Sequence, residues 1–539
     1  MNYSNETCFH IPDSARAGSA LRGITASITV AVASLSIWPG AYAKPVVDAG
    51  LSEKARACAD LSTLRLSDAT VTGAQLVTSG AFSPPAGGDA LRGAETGPLA
   101  NLPPFCRVTI TVKPQIKVEV WMPSQAWNRR FQAVGGGGYA GFIAYDSMAS
   151  AIRAGYASAS TDTGHAASLF DGKFILNADR SLNEQQLKDF AYRAVHEMTI
   201  KSKSLIRTYY RVAPRYSYWN GCSTGGRQGL MEAQRYPDDY DGILSQAPAI
   251  NWDRFIPAEI WPQLVMQRDL GGPIAPAKLA ALHGAIIATY DRNDDVSDGV
   301  VDQPDRIRVS DELMRNAGLS AQEIATMRKI WEGPRTSNGD FLWYGVEPTA
   351  PLEALAGQKP FPIPVDYLGS WLLRDPQWNW QTMDYVDYER LFQHSRQRFN
   401  ASIGTDDPDL RSFASAGGKL LMVHGWDDQL IPPRGTIDYF QRAQAAAGGA
   451  KSVAGFARLF MAPGVLHCGG GPGPDTIDGM GALVKWVEQG KAPEQISAQK
   501  LNGAGEPVRT RPLCLYPKRA VYSGTGSEDR ASSYVCKAQ

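Results

Sequence analysis

The chain has 539 residues, 43% apolar and 20% charged, so it carries enough apolar side chain for a sizeable core and lacks the composition of a disordered protein. Lysine plus arginine and aspartate plus glutamate each number 54, and this balance excludes the strong basic field that attracts nucleic acid or an anionic membrane. The 53 glycines and 35 prolines follow no fixed period, which excludes collagen-like and repeat architectures. We therefore expect a globular protein with many shaped loops, and with neither nucleic acid nor membrane as a partner.

Residues 1–43 have the pattern of an export signal. An apolar stretch of about 14 residues follows two arginines, and it is shorter than the ~20 residues that a membrane-spanning helix needs. Ala41-Tyr42-Ala43 then supplies the small-x-small cleavage pattern. The alternative is a retained anchor or an N-terminal core helix. We predict a mature chain that begins near Lys44 and is secreted or periplasmic.

The number of cysteines is consistent with an oxidising compartment. Of the seven, Cys8 lies in the predicted leader, and the remaining six are an even number. Order along the chain favours two local disulfides and leaves two distant cysteines to pair by elimination. The alternative is that the distant two are reduced, buried thiols. The predicted pairs are Cys58–Cys106, Cys514–Cys536 and Cys222–Cys468.

Strand-like and helix-like segments alternate outside the middle of the chain. Runs rich in Val, Ile, aromatic or small residues predict strands, whereas apolar positions at helical spacing predict helices. The strands are predicted at residues 107–112, 117–121, 131–134, 156–160, 216–219, 419–424 and 457–461, and the helices at 184–211 and 227–235. Such alternation favours an α/β fold with a mostly parallel sheet.

The middle of the chain differs from the rest in composition and in sequence pattern. Residues 251–410 hold seven of the 13 tryptophans, are rich in Pro, Asp and Asn, and show no strand–helix alternation. We interpret this segment as a lid domain inserted into a core formed by residues 44–250 and 411–539. The tryptophans either pack as a hydrophobic core or line a pocket for a planar ligand.

A candidate nucleophile stands where a predicted strand turns into a predicted helix. Ser223 lies in Gly221-Cys222-Ser223-Thr224-Gly225, the Gly-x-Ser-x-Gly pattern of a nucleophile elbow, although an ordinary glycine-rich turn would read the same. Glycines at the flanking positions permit strained backbone angles and close packing. The Thr224 N–H, at the start of the helix, is the first predicted donor of an oxyanion hole.

A second oxyanion donor is predicted from an earlier glycine run. Residues 135–138 are four successive glycines after a predicted strand, and Gly136 is the donor we assign there. A phosphate-binding P-loop is excluded because no Lys-Ser/Thr follows the run.

A general base and an acid are sought beyond Ser223, in the order that α/β-hydrolases use. His467 follows a predicted strand and precedes a glycine-rich loop, so it is the candidate base. Asp427 and Asp428 both lie between Ser223 and His467, and spacing alone does not separate them. His424 is a competing histidine, but it precedes the acid, and we expect it to bond within its own loop.

The predicted disulfide between Cys222 and Cys468 bears on this pairing. A disulfide holds two Cα atoms within ~7 Å, and each of these cysteines is the neighbour of a candidate catalytic residue. We therefore expect Ser223 and His467 to lie within hydrogen-bond reach.

Together these motifs resemble a known family. Gly221-Cys222-Ser223-Thr224-Gly225-Gly226-Arg227, Asp428 after His424-Gly425-Trp426, and His467-Cys468 resemble the Cys-Ser-Asp-His-Cys motif of the tannase and feruloyl esterase family, which includes mono(2-hydroxyethyl) terephthalate hydrolases. The resemblance implies an α/β-hydrolase core with a large lid insertion. It also implies Asp428 as the acid, because the family's acid falls two positions after the tryptophan.

The resemblance further implies a structural calcium ion in the lid and no organic cofactor. Hard oxygen ligands suit Ca²⁺, and the implied ligands are the carboxylates of Asp291, Asp294 and Asp298 with the carbonyls of Val296 and Val300. An EF-hand is excluded, since Val296 takes the position that needs glycine. The chain departs from the family in having no cysteine in the lid and Asp295 where glycine is usual. A solvated acidic turn is the alternative.

The function predicted is that of a secreted serine esterase that cleaves feruloyl, hydroxycinnamoyl or galloyl esters through an acyl-enzyme. Its partner is then a small aromatic ester. Alternatives are a terephthalate monoester hydrolase of the same family, an acyltransferase or peptidase on the same core, and an inactive protein that binds aromatic esters. The sequence makes no prediction of the preferred acid or of the oligomeric state.

Overall fold

A computed structural model describes residues 49–85 and 98–538. The predicted export signal, residues 1–43, lies outside the described residues. In the described part of the chain, no helix is both long enough and apolar enough to cross a bilayer.

A nine-stranded sheet organises the described chain. Its order is β1-β2-β3-β5-β4-β6-β7-β8-β9, with antiparallel pairing from β1 to β5 and parallel pairing from β5 to β9. The strands are β1 (Ala69–Val77), β2 (Phe105–Val112), β3 (Ile116–Pro123), β4 (Arg130–Val134), β5 (Ala157–Thr161), β6 (Tyr216–Cys222), β7 (Gly242–Gln246), β8 (Lys419–Gly425) and β9 (Ala457–Ala462).

All seven predicted strands belong to this sheet, and the predicted α/β fold is confirmed. The strands of the parallel half are covered on both faces, which explains why β5 and β9 are buried at every position and read as continuous small or apolar runs. Two strands of the sheet were not predicted. β1 has a register shift between Val71 and Gly73 and an irregular burial pattern, and β7 has only five residues.

Helices cover the sheet and fill the lid. The N-terminal and core helices are α1 (Ala49–Ala59), α2 (Tyr145–Arg153), α3 (Glu184–Lys188), α4 (Ala194–Tyr210) and α5 (Thr224–Arg235). Between β7 and β8 lie α6 (Trp252–Glu259), α7 (Trp261–Leu270), α8 (Pro276–Tyr290), α9 (Asp311–Asn316), α10 (Ala321–Glu332), α11 (Glu353–Ala356), α12 (Pro362–Asp366), α13 (Tyr385–Phe399) and α14 (Arg411–Ser415). The last helices are α15 (Pro433–Ala446), α16 (Ala450–Val453) and α17 (Gly479–Gln489).

Shorter helical turns join these elements. A π-helical turn over Asp189–Arg193 links α3 to α4, so the helix predicted over 184–211 is one helical stretch with a local widening. Two more π turns and six 3₁₀ turns complete the described helical structure, namely Tyr367–Leu373 and Asn400–Gly404, then Asp60–Thr63, Lys173–Ile175, Asp291–Asp294, Pro304–Arg306, Trp380–Thr382 and Ala531–Ser533.

The segment predicted as a lid is helical, with apolar clusters of its own. Four of its seven tryptophans are buried, and Trp371 packs against Tyr139 of the core with ring centroids 5.9 Å apart. Most of the aromatic crowding is therefore packing. The boundaries at residues 250 and 410 stay predictions.

The end of the chain forms two small sheets that the sequence patterns did not indicate. One contains β10 (Thr476–Ile477), β11 (Gln495–Leu501) and β12 (Pro507–Cys514), and the other pairs β13 (Arg519–Tyr522) with β14 (Tyr534–Lys537). The second predicted part of the core, residues 411–539, thus holds β8 and β9 of the large sheet and these added strands.

Three disulfides are present, and all three predicted pairings are confirmed. The Cα–Cα distances are 5.7 Å for Cys58–Cys106, 5.9 Å for Cys222–Cys468 and 5.7 Å for Cys514–Cys536. The first joins the N-terminal α1 to β2, and the last joins β12 to β14.

Candidate active site

Ser223 stands alone between β6 and α5 in a strained conformation. Its φ of 61° and ψ of −124° lie in a region that L-residues rarely occupy. The strain is held by three backbone hydrogen bonds of 3.0 Å, since the Ser223 N–H donates to Gln246 and its carbonyl accepts from Arg227 and Ala249. The backbone around this residue is therefore that of a nucleophile elbow.

The flanking glycines are required by close approach. A Cβ on Gly221 would lie 2.5 Å from the carbonyl carbon of Gly225, and one on Gly225 would lie 3.1 Å from the Cα of Gly135. The elbow and the glycine run at 135–138 are thus in direct backbone contact. This is the physical reason for glycine on both sides of Ser223.

Asp428 and His467 meet at the ends of β8 and β9. Asp428 Oδ2 lies 2.8 Å from His467 Nδ1, and the carboxylate is fully buried. The other oxygen, Oδ1, accepts the backbone N–H groups of Leu430 at 2.9 Å and Ile431 at 2.8 Å. Because Nδ1 is engaged by the carboxylate, Nε2 is the nitrogen left to exchange a proton with a substrate or a hydroxyl.

The pKa values of the neighbouring Asp427 and Asp428 carboxyls are shifted in opposite directions. Burial alone would raise the pKa of the Asp428 carboxyl, but the charge of His467 and hydrogen bonds from His424 and His467 outweigh it and hold that pKa well below its usual range. Burial instead raises the pKa of Asp427 to about 7, opposed by a 2.6 Å hydrogen bond from the Thr349 hydroxyl. Of these two aspartates, only Asp428 lies beside an imidazole, and only its pKa is lowered.

His424 shares the same carboxylate but is closed to substrate. Its Nε2 lies 3.1 Å from Asp428 Oδ2 and 3.2 Å from the Ile431 carbonyl, while Nδ1 lies 2.9 Å from the Thr436 hydroxyl. The residue is 1% exposed. It bonds within its loop, as expected, and its contact with Asp428 is an addition that the sequence did not indicate.

The disulfide between Cys222 and Cys468 joins the elbow to the histidine loop. It brings the backbones of Ser223 and His467 together, yet the Ser223 hydroxyl makes no side-chain hydrogen bond among the described residues. The predicted hydrogen bond from this hydroxyl to His467 is thus not formed in this structure. Catalytic hydrogen bonds are often long in unliganded enzymes and tighten only when the substrate binds.

Removing this disulfide should lower both stability and turnover. Loop-closure entropy over the 246 residues that it spans corresponds to about 5 kcal/mol, against about 3 kcal/mol for the 22 residues between Cys514 and Cys536. We expect the double variant Cys222→Ala/Cys468→Ala to lose about 100-fold in kcat, since a misplacement of ~1 Å at the reacting atoms can cost that much.

The matched control is the double variant Cys514→Ala/Cys536→Ala, measured by thermal unfolding and by ester turnover below both melting temperatures. It should lower the melting temperature and leave kcat unchanged. Equal kcat in the two double variants would show that the elbow disulfide does not position the catalytic groups.

The two predicted oxyanion donors differ in their surroundings. The Thr224 N–H belongs to the first turn of α5, where backbone donors lack an intrahelical partner. The Thr224 hydroxyl donates a hydrogen bond to the Gly138 carbonyl at 2.6 Å, which connects the helix to the glycine run. The Gly136 N–H instead donates to Gln228 Oε1 at 3.2 Å, so this bond must yield before Gly136 can serve as a donor.

Two glutamines were missed by sequence reasoning. Gln228, one turn along α5 from Ser223, positions the glycine run through Gly136. Gln429 Oε1 accepts the His467 backbone N–H at 3.0 Å and so holds the His467 loop next to Asp428. Their positions next to catalytic motifs were the available signal, but an amide side chain has no local pattern that names its partner.

The loop implied to bind calcium contains the expected carboxylates, but those of Asp291 and Asp298 already have hydrogen-bond or ion-pair partners. Asp291 Oδ1 accepts the N–H groups of Asp298, Gly299 and Val300 at 2.8–3.2 Å. The Asp298 carboxylate pairs with Arg511 at 2.6 Å and Arg509 at 3.3 Å. Among the described residues, Asp291, Asp294 and Asp298 do not form a trio of carboxylates with one oxygen of each within 4.8 Å of the other two, but the implied ligand set also includes two backbone carbonyls. Calcium binding by this loop stays a prediction.

Similarity to known proteins shows to which family the chain belongs. The family model described as "Tannase and feruloyl esterase" matches residues 103–363 and 369–537. A probable feruloyl esterase from Arthroderma benhamiae is 37% identical over 460 residues, covering 80% of this chain and 85% of the relative. An uncharacterized esterase from Xanthomonas campestris pv. campestris is 34% identical over 539 residues, covering 89% and 91%.

Solved structures agree. The crystal structure of feruloyl esterase B from Aspergillus oryzae superposes with a TM-score of 0.80 at 27% identity, covering 90% of this chain and all of that one. The resemblance inferred from the motifs is thereby confirmed, and with it the activity class, carboxylic ester hydrolysis. The chain belongs to the tannase and feruloyl esterase family.

Proposed function

We propose that Ser223, His467 and Asp428 are the nucleophile, the general base and the acid of an esterase acting through an acyl-enzyme. The observation that carries this proposal is the 2.8 Å bond between Asp428 and His467, formed beside a serine held at φ 61° between strand and helix. A buried carboxylate fixes the imidazole tautomer and stabilises the imidazolium that forms.

The chemistry follows from these positions. His467 Nε2 takes the proton of Ser223 Oγ while Oγ bonds to the ester carbonyl carbon, and the carbonyl oxygen becomes an oxyanion. The imidazolium then returns the proton to the alcohol oxygen as the carbon–oxygen bond of the ester breaks. Water repeats the sequence on the acyl-enzyme, with His467 again as base, and releases the acid and free Ser223.

Support for an aromatic acyl group comes from the relatives and from one cavity. The relatives named as feruloyl esterases are similar over most of the chain. A cavity of about 560 Å³ lies between the segment after β5 and the lid, within the size range of ligand pockets, and Phe170 and Trp378 are among its walls. We propose that this cavity receives the aromatic part of the substrate.

The cavity wall is continuous with the glycine run. The Tyr139 N–H donates to the Leu169 carbonyl at 3.0 Å, and a Cβ on Gly137 would lie 3.4 Å from the Leu169 side chain. On the lid side, Trp371 Nε1 donates to the Gly172 carbonyl at 3.0 Å. An aromatic group seated against Phe170 would therefore lie near the loop that faces Ser223.

The test is the ratio kcat/KM for methyl ferulate, methyl gallate and a terephthalate monoester. We expect an aromatic ester to be cleaved faster than a short aliphatic ester, and Phe170→Ala to lower kcat/KM for the preferred one about fivefold, since a lost aromatic contact is worth ~1 kcal/mol. The matched control is Phe341→Ala, because Phe170 is 42% exposed and Phe341 is 48% exposed outside this cavity. Equal effects of the two variants would remove the cavity from the proposal.

Calcium in the loop over residues 291–300 is also proposed, as a brace for the lid with no part in the chemistry. Binding would require the Asp298 carboxylate to break its ion pair with Arg511, because an oxygen that coordinates the ion cannot also keep a close contact with the guanidinium. We expect Ca²⁺ at 100 times its Kd to stabilise the protein by about 2.7 kcal/mol.

Thermal unfolding with EGTA and with added Ca²⁺ measures this effect. Asp294→Asn should abolish the calcium-dependent shift, whereas Asp295→Asn, an exposed neighbour outside the ligand set, should retain it. If the wild-type melting temperature is the same in EGTA and in Ca²⁺, the loop holds no calcium.

Secretion is proposed on two grounds: the export pattern of residues 1–43 and the pairing of the other six cysteines in disulfides. The N-terminal sequence of the exported protein should begin near Lys44. A chain that stays in the cytoplasm with its N-terminus uncut would contradict it.

A further inference from the structure

A second cluster of potential ligands lies away from the catalytic residues, between α4, α5 and the loop before β7. His196 Nδ1 lies 2.7 Å from Asp239 Oδ2. One potential ligand atom from each of His196, Glu232 and Asp239 lies within 4.8 Å of the other two. In the described chain, this trio is the one set of His, Cys, Asp or Glu side chains gathered closely enough to hold a metal ion.

Glu232 is the residue that needs an explanation. It is 0% exposed, and neither of its carboxylate oxygens has a hydrogen-bond donor among the described residues. Its carboxylate faces that of Asp239 instead, and burial beside this second acid raises the pKa of Glu232 well above its usual range. Two buried carboxylates in contact require either a shared proton or a cation between them.

The nearby cationic side chains are directed elsewhere. Lys203 Nζ donates to the backbone carbonyl of Asp239, and the Arg227 guanidinium donates to the carbonyls of Ala191 at 2.7 Å and Phe190 at 3.2 Å. Across residues 49–85 and 98–538, no ion pair within 4.0 Å joins Glu232 to a lysine or arginine. The protein's own cations therefore leave the Glu232 oxygens unsatisfied.

We propose that His196, Glu232 and Asp239 form a structural site for a divalent transition-metal cation of the zinc type. One imidazole and two carboxylates are ligands that Zn²⁺ accepts, and water can complete the coordination. The His196 side chain is 27% exposed, which gives the ion a path to the buried carboxylates. The imidazole binds through Nδ1 and carries its proton on Nε2, while the Tyr236 ring, stacked on it at 3.9 Å, fixes its plane.

Such an ion would brace the helix that starts at the nucleophile. Glu232 lies two turns into α5, ~12 Å along the helix from Thr224. His196 belongs to α4, and Asp239 leads into β7. The ion would therefore stabilise the packing of α4 against α5 and take no part in ester cleavage.

The test is Zn²⁺ binding by the full-length protein, stripped with chelator and then titrated by calorimetry in saturating Ca²⁺, so that the loop over residues 291–300 does not compete. We expect one Zn²⁺ per chain and a higher melting temperature with Zn²⁺. Glu232→Gln should weaken binding at least about 100-fold. Asp238→Asn, at the exposed neighbour of Asp239, should bind as the wild type does.

A second variant guards against misfolding of Glu232→Gln. His196→Gln changes a partly exposed side chain, and it should remove the visible absorption of bound Co²⁺ that the wild type shows. The proposal is overturned if the stripped wild type binds no Zn²⁺, or if both variants bind it as tightly as the wild type. It is also overturned if Glu232→Gln raises the melting temperature while Zn²⁺ has no effect, since the two carboxylates then share a proton.

Discussion

Ser223→Ala should lower kcat for a chromogenic aromatic ester by about 10⁴-fold or more, which is the loss that removal of a serine nucleophile causes in comparable triads. The hydroxyl is the one atom that can form the acyl-enzyme, so no neighbour replaces it. The melting temperature should fall little, because the strained backbone of Ser223 is held by backbone hydrogen bonds that alanine keeps.

Ser412→Ala is the matched control, since Ser412 is exposed on α14 and has no part in the site. A fluorophosphonate should modify Ser223 alone in the wild type and in this control, with activity lost in proportion to labelling. Equal rates for Ser223→Ala and the wild type would refute the nucleophile assignment, while the esterase class would still rest on the family.

Asp428→Asn should lower kcat by about 10⁴-fold, because the amide keeps the shape but favours the wrong imidazole tautomer and cannot stabilise the imidazolium. The ionised carboxylate is the form that holds the imidazole at neutral pH, because the charge of His467 and the hydrogen bonds of both histidines keep the pKa of this carboxyl well below its usual range. KM should change much less than kcat.

Asp427→Asn is the control that the chain itself provides. The adjacent carboxyl accepts from Thr349 and has no hydrogen bond to an imidazole in the described structure, so its loss should affect stability more than kcat. Measuring kcat and melting temperature for both variants separates the two residues. A collapse of kcat in Asp427→Asn, with Asp428→Asn active, would reverse the assignment.

Local patterns predicted the parts of the site that depend on neighbours in the chain. The Gly-x-Ser-x-Gly turn identified Ser223, because strain at one residue and close packing at its flanks impose residue types within five positions. Strands such as β8 and β9 could also be predicted from the sequence, because burial on both faces gives a continuous apolar run.

Contacts between distant segments were not predicted. The choice between Asp427 and Asp428 came from the family resemblance, and the structure supplies the physical basis in Thr349 and the two histidines. The bond from Gly136 to Gln228 likewise joins residues from two loops. Hydrogen bonds of this kind depend on side-chain positions that the whole fold sets, and no periodicity records them.

By itself, then, the sequence determined the α/β architecture, the three cysteine pairs, and Ser223 and His467 as candidates, since each follows from spacing, order or a short motif. Asp428 was preferred to Asp427 only through the family resemblance. Only the tertiary structure decided that His424 shares the carboxylate of Asp428, that Arg511 holds Asp298, and that Glu232 is buried against Asp239 without a donor. The reason is that burial and partnering arise when remote segments pack, and a charged side chain's surroundings change its energy far more than its place in the chain does.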